Sequence, residues 1–296
     1  MAYDEPYRWV EAIRNRRDYL EEQLVGGSPI VALPFQNGIL MATLGGGTQK
    51  LYEVYDQIAF GGIGHPADLE KLRNVVLDAA HAEGFNRSPA DVTVRRLMKF
   101  ILAPMVKQAF EEVLHAPYIV KIILAEIPLS PGGPLFFSLN HDGVFQEQER
   151  GAVLAPTSDS EEQMRRFLNA AGETTTMPFR EAFQTALRTW AVSQIPADPQ
   201  ARPEGHPEDQ RESRKESDPP STMVSVSTSG LRSDLQPFPG GHNHFPEVTE
   251  LDSLLKKNLE TKTIEVVLLD RTRPGTSKYR SLSREEIDEV IVGWLK

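Results

Sequence analysis

The sequence contains no cysteine. Disulfides, thiol nucleophiles and cysteine-ligated zinc are therefore excluded. It has no apolar run of the roughly 20 residues that a membrane-spanning helix needs. Positive charge is also in short supply, with 32 Lys and Arg against 42 Asp and Glu for a formal charge of -10. Such a chain has no basic stripe to displace counterions from nucleic acid and is not drawn to anionic lipid. The G-x-S-x-G nucleophile elbow is missing as well. The opening MAYDEPYRWVEAIRNRRDYLEE is too charged for a secretory signal, so a cytoplasmic location is expected.

What is present is a globular balance, 40% hydrophobic and 25% charged over 296 residues, with ample chain to bury a core. An amphipathic helix with Val10, Ile13, Leu20 and Leu24 on one face is stopped by Gly26-Gly27. Two apolar runs joined at Asn37-Gly38 predict a type I′ hairpin. A second strand pair, KLYEVY and QIAFGGI, turns at Asp56-Gln57. Two helices follow. The first carries Leu69, Leu72, Val76 and Ala80 at helical spacing and closes at Gly84; the second is capped by Ser88, opens with Pro89 and is kinked at Pro104. Strands resume with YIVKIILAEI, a hairpin across His141-Asp142-Gly143, and GAVLAP. Two more helices come next, the first capped by Ser158 or Ser160. From Ile195 the chain is dense in proline and charge, a composition that cannot offset its own ordering entropy. Residues 193–262 are expected to be largely disordered, with a short helix over VTELDSLLKKNLE. TIEVVLLDR, KYRSLS and a helix from Ser283 complete the chain. The paired strands and paired helices predict an α+β fold of two packed sheets with helices on both outer faces.

Several residues invite a functional reading. Gly62-Ile63-Gly64-His65-Pro66-Ala67 fits G-x-G-x-x-A, with Glu83 about twenty residues on where a ribose-binding acid sits. The hairpin-linked strands before it and the second helix after it favour a close strand-to-helix turn instead. Gly45-Gly46-Gly47 lacks the lysine ending of a phosphate loop and reads as a turn. His242 and His244, with His206, lie in proline- and glycine-rich sequence with no cluster of acids at ligand spacing, so no metal site is expected. His81, His115 and His141 have no nucleophile arrangement around them and read as surface or turn histidines. Ser28, after two glycines and at the head of the first core strand, is the remaining candidate.

The segments GGSPIVALPFQNGILMAT, QKLYEVYDQIAFGGIGHPADLEKL, GFNRSPADVTVRRL, YIVKIILAEI and IEVVLLDRTRP occur in an order that resembles proteasome core subunits. They look most like the α-type subunits of Actinobacteria, within the N-terminal-nucleophile hydrolase superfamily. The resemblance implies a four-layer αββα sandwich of two antiparallel sheets. It divides the chain into a helix and gate segment over residues 1–27, the sandwich over 28–192, the insertion over 193–262 and completing strands and helix over 263–296. The long insertion departs from the family, whose corresponding link is short.

The family has catalytic β and non-catalytic α subunits. In β subunits the nucleophile is an N-terminal threonine whose free amine, with a pKa near ~8, accepts the hydroxyl proton. On matching strands that position falls on Ser28, followed by Pro29, and the family's acid falls on Leu44. Only the lysine has a counterpart, Lys50. The resemblance therefore implies an α-type subunit with no catalytic residues and no cofactor. It would form a seven-membered ring with itself, stack on β-type subunits, gate substrate access and dock a ring-shaped AAA ATPase activator. Thr48-Gln49-Lys50-Leu51 matches the family segment whose lysine pairs with the activator's terminal carboxylate. Ala2, Tyr3, Asp4 and Glu5 would form the gate segment, although this stretch does not match the gate motif of archaeal relatives. The alternatives are an autonomous hydrolase using a processed Ser28, and a dinucleotide-binding protein.

Overall fold

A computed structural model describes residues 5–112, 114–128, 132–196 and 246–295. Helix α1 (Glu5–Leu24) leads into β1 (Ile30–Phe35), β2 (Gly38–Gly45), β3 (Leu51–Tyr55) and β4 (Ile58–Gly64). Next come α2 (Pro66–Asn86), a short α3 (Val94–Leu97) and α4 (Ala103–Glu111). Strands β5 (Val120–Glu126), β6 (Leu135–Leu139), β7 (Phe145–Gln148) and β8 (Ala152–Leu154) precede α5 (Ser158–Ala170) and α6 (Phe179–Val192). The described chain resumes with α7 (Val248–Leu259), β9 (Thr263–Asp270), β10 (Tyr279–Ser281) and α8 (Arg284–Val292).

The strands form two five-stranded sheets, β10-β9-β2-β1-β8 and β3-β4-β5-β6-β7, paired antiparallel throughout. Side chains alternate across each sheet, so the central strands feed two cores. Ile30, Ala32, Met41 and Val267 face Ala59, Ile123 and Phe136 between the sheets. Val31, Leu33, Leu40 and Val266 turn outward against Met164, Trp190 and Leu255. On the other outer face Phe60, Ile122 and Leu124 pack on Leu72, Val76 and Met98. This is the expected α+β sandwich, and it explains why the strands read as apolar runs rather than alternating ones. The antiparallel setting of β4 removes the parallel strand–helix–strand context that a dinucleotide site requires. A Cβ on Gly64 would lie 1.9 Å from the Ile119 carbonyl oxygen, and one on Gly62 would lie 2.3 Å from Leu69 Cδ2. Those glycines serve close packing.

Local details depart from the sequence expectations for identifiable reasons. Phe35 pairs with Gly38, so the first turn is made by Gln36 and Asn37 rather than by Asn37 and Gly38. No described non-glycine residue has positive φ, so the type I′ expectation fails at Asn37. Gly38 belongs to β2 and is pressed against Leu269 of β9. Ser88 caps only a 3-10 turn over Pro89–Asp91; Thr93 caps the helix, accepting the Arg96 N–H. The irregularity expected at Pro104 falls one turn earlier, as a π turn over Met98–Leu102, and Pro104 sits in the first turn of α4. Gly84 does not end α2, which runs on to Asn86; Gly84 gives room for Tyr55, whose hydroxyl a Cβ there would meet at 2.3 Å. Thr157, not Ser158 or Ser160, caps α5. Ser283 caps α8 in a reciprocal box with Glu286.

Within the stretch 193–262, the short helix expected over VTELDSLLKKNLE is α7, and residues 197–245 lie outside the described residues. Helix α7 packs into the outer core through fully buried Leu251 and Leu255. Arg188 of α6 donates two hydrogen bonds to Asp252, at 2.9 and 3.0 Å.

Candidate functional site

The link from α1 to β1 is fixed before any chemistry begins. Leu20 and Leu24 are fully buried, and burying each contributes about 1.5–3 kcal/mol. Arg16 donates to the carbonyls of Ala109 and His115, tying α1 to the end of α4. Gly27 lies so close to β4 that a Cβ would meet Ile63 Cγ2 at 2.2 Å.

Ser28 follows, in a peptide-bonded setting with a saturated hydroxyl. It donates to the Leu44 carbonyl and accepts from Trp190 Nε1 at 3.3 Å. Thr43 donates to the Pro29 carbonyl at 2.7 Å, holding β1 against β2. Leu44 is completely buried in the outer core. An aliphatic side chain there cannot orient or ionise anything. The serine and leucine thus occupy neighbouring strands without forming a catalytic pair.

Lys50 sits at the end of the loop from β2 to β3. Its backbone N–H and that of Leu51 donate to the two carboxylate oxygens of Glu265, each at 2.9 Å. The pairing of β2 with β9 makes this contact, since Thr43 lies opposite Glu265 and Gly45 opposite Thr263. The Lys50 side chain folds back over Gly45, whose Cβ position is 3.8 Å from Nζ. Burial pulls the Lys50 ammonium below the usual lysine range, Glu265 opposes that shift and Lys262 adds to it. Burial pushes the Glu265 carboxyl up, against the two backbone donors and Lys50.

Ser28, Leu44 and Lys50 line one cleft of about 470 Å³, together with Thr157, Ser160 and Lys262. Among the described residues no aspartate or glutamate lines it. Lys262, at the junction of α7 and β9, places Nζ 4.8 Å from the centre of the Trp190 ring. Lys262, Glu265 and Trp190 were not singled out by the sequence. The arrangement can hold an anion, and the peptide-bonded Ser28 nitrogen cannot serve as a base.

The other candidates are dispersed. Ala2, Tyr3 and Asp4 lie outside the described residues; Glu5 begins α1, and its side chain is also outside them. His206, His242 and His244 lie outside as well. No group of three His, Asp or Glu side chains converges among the described residues. Glu83 pairs with Arg96 at 3.0 Å and Arg87 at 3.3 Å, a structural role. His81 is exposed and packs edge-on against Tyr55, and exposed His115 meets Glu112 at 3.2 Å. His141 is not a surface histidine: it is only 5% exposed, and among the described residues neither ring nitrogen has a hydrogen-bond partner. Among the described residues no helix is long and apolar enough to cross a membrane.

The two antiparallel sheets with helices on their outer faces form an α+β sandwich consistent with the fold of proteasome subunits. Similarity to known proteins then narrows the class. The chain is 27% identical over 283 residues to a proteasome subunit alpha of Streptomyces scabiei, covering 95% of this chain and 89% of that one. It is 26% identical over 196 residues to the one from Frankia casuarinae, covering 64% and 78% respectively. A third, from Streptosporangium roseum, is 31% identical over 140 residues, covering 46% and 53%. No protein-family model matches the chain. The chain is similar to actinobacterial proteins named proteasome subunit alpha.

Proposed function

We propose that this chain is a non-catalytic α-type subunit of a proteasome core particle in the cytoplasm. Seven copies form an outer ring that stacks on β-type subunits. The segment Ala2–Glu5 contributes to the gate over the axial opening, and Lys50 captures the terminal carboxylate of a ring-shaped ATPase activator. The observation that carries the non-catalytic reading is the docking of α1. Freeing the Ser28 amine would strip away Leu20 and Leu24, both fully buried. It would still leave Leu44 where an acid is needed. The processed-serine alternative therefore gains its amine base only by giving up that packing, and it still lacks its acid. What supports the docking reading is a cleft lined by Lys50 and no carboxylate, on a chain whose formal charge is -10.

The test is reconstitution with a β-type partner and an ATPase ring. A charge-assisted hydrogen bond is worth roughly 1.5–3 kcal/mol, about 10- to 150-fold in affinity. Lys50→Ala should weaken activator docking by about that factor per pocket, with the loss multiplied across the ring. Assembly and small-peptide hydrolysis should survive. Unchanged docking would overturn the role of Lys50.

A further inference from the structure

We infer that Lys262 is a second binding residue of the Lys50 cleft and supplies its uncompensated positive charge, so that the cleft takes a singly charged peptide C terminus through two ammonium groups. The inference rests on the reading of this cleft as a carboxylate site.

The argument is one of charge and position. Lys50 brings one positive charge, but Glu265 sits behind it and is held by the Lys50 and Leu51 N–H groups. Those donors stabilise the charged carboxylate. Lys50 and Glu265 together are close to neutral as seen from the cleft. Lys262 lines the same cleft, and among the described residues no carboxylate lines it with Lys262. The face of Trp190 holds Lys262 in place, and Trp190 is fully buried and anchored to Ser28. A ring face attracts an ammonium without cancelling its charge. Pro156, Thr157 and Ser160 bring the N-terminal end of α5 to the same wall, and its dipole adds to the positive field. Counting the two ammonium groups that line the cleft and the Glu265 carboxylate behind Lys50 leaves one positive charge among these described groups, which one terminal carboxylate matches. Burial weakens the hold of water on both lysines, so each gains more from an anionic partner than a surface lysine would.

Sequence proximity gives no hint of this pairing. Lys50 and Lys262 meet because β2 and β9 are hydrogen-bonded neighbours, with Gly45 opposite Thr263.

The test uses the full chain and a fluorescein-labelled peptide, Gly-Ser-Gly-Ser-Ala-Leu, as the free acid and as the C-terminal amide. Fluorescence anisotropy should show the acid binding at least ten-fold more tightly than the amide. Lys262→Gln should weaken the acid ten-fold or more, at least as much as Lys50→Gln. Lys262→Arg should stay within about three-fold of the parent, because it keeps the charge over the ring. In the unsubstituted chain the acid peptide should protect Lys262, but not Lys256 or Lys257, from acetic anhydride; this readout survives even if a variant folds poorly. Lys50→Gln weakening binding while Lys262→Gln leaves it within two-fold would overturn the role of Lys262 and leave that of Lys50. Binding indifferent to both substitutions, or equal for acid and amide, would overturn the cleft as a carboxylate site altogether.

Discussion

Glu265 holds Lys50 in place from across the sheet. Its carboxylate accepts the backbone N–H groups of Lys50 and Leu51 at 2.9 Å each, although 215 and 214 residues separate them in sequence. The loop that follows Gly45 therefore ends at a fixed point on β9, and the Lys50 side chain starts from a defined backbone.

Glu265→Ala should leave two partly buried N–H donors unpaired. The expected cost is about 1–3 kcal/mol, read as a lower urea midpoint at unchanged slope. Glu265→Gln keeps an acceptor oxygen for one donor and should cost less. Equal stability of all three chains would show that the contact contributes nothing.

Helix α7 should behave as core. Leu255→Ala removes a fully buried side chain packed among α6 and β9. The expected loss is about 2–5 kcal/mol. A change below about 0.5 kcal/mol, typical of surface substitutions, would return residues 248–259 to the insertion.

His141 makes stability depend on pH. Burial lowers its pKa beneath the usual histidine range; Asp142 opposes this, while Lys121 and Arg17 reinforce it. The unfolded chain takes up a proton near pH ~6.5, before the folded chain does. The stability tied to neutral His141 is therefore present above that value and is lost as pH falls through the lower folded one. Phe110 already packs on the His141 ring, with centroids 6.0 Å apart. His141→Phe should accordingly lose less stability between pH 7.5 and pH 5 than the parent. The check is a urea midpoint at each pH, and an identical drop in both chains would contradict it.

A chain engineered to begin at Ser28 should be both less stable and inactive. It loses the burial of Leu20 and Leu24, about 3–6 kcal/mol together. It gains a free amine but no acid, because Leu44 is unchanged. The expected result is a melting temperature lowered by several degrees and no peptide hydrolysis. Hydrolysis by this shortened chain would show that Leu44 does not disable the site.

The layers of the fold were legible because the central strands are apolar on both faces and the helices carry an apolar face. Elements were easier to place than their ends. Thr93 and Thr157 displaced the serines expected as caps, since a serine just before a helix can instead cap a single 3-10 turn or lie within the first turn. The turn at Gln36 and Asn37 slipped by one residue because Gly38 is needed in the strand, where β9 approaches too closely for a Cβ. At the candidate site Ser28, Leu44 and Lys50 could be named from neighbouring strands. Lys262, Glu265 and Trp190 could not. Lys262 reaches the cleft, Glu265 the Lys50 backbone and Trp190 the Lys262 ammonium only through the register of β2 on β9 and the packing of α6, which no local pattern encodes.

The most direct measurement concerns which subunit carries the nucleophile. The chain is purified alone and in complex with a β-type partner, and peptide hydrolysis is compared for Ser28→Ala in this chain and for replacement of the partner's N-terminal threonine. The expected result is no hydrolysis by the chain alone, full activity of the complex with Ser28→Ala, and none when the threonine is replaced. Steady hydrolysis by the chain alone that disappears in Ser28→Ala would contradict the assignment and make Ser28 a nucleophile.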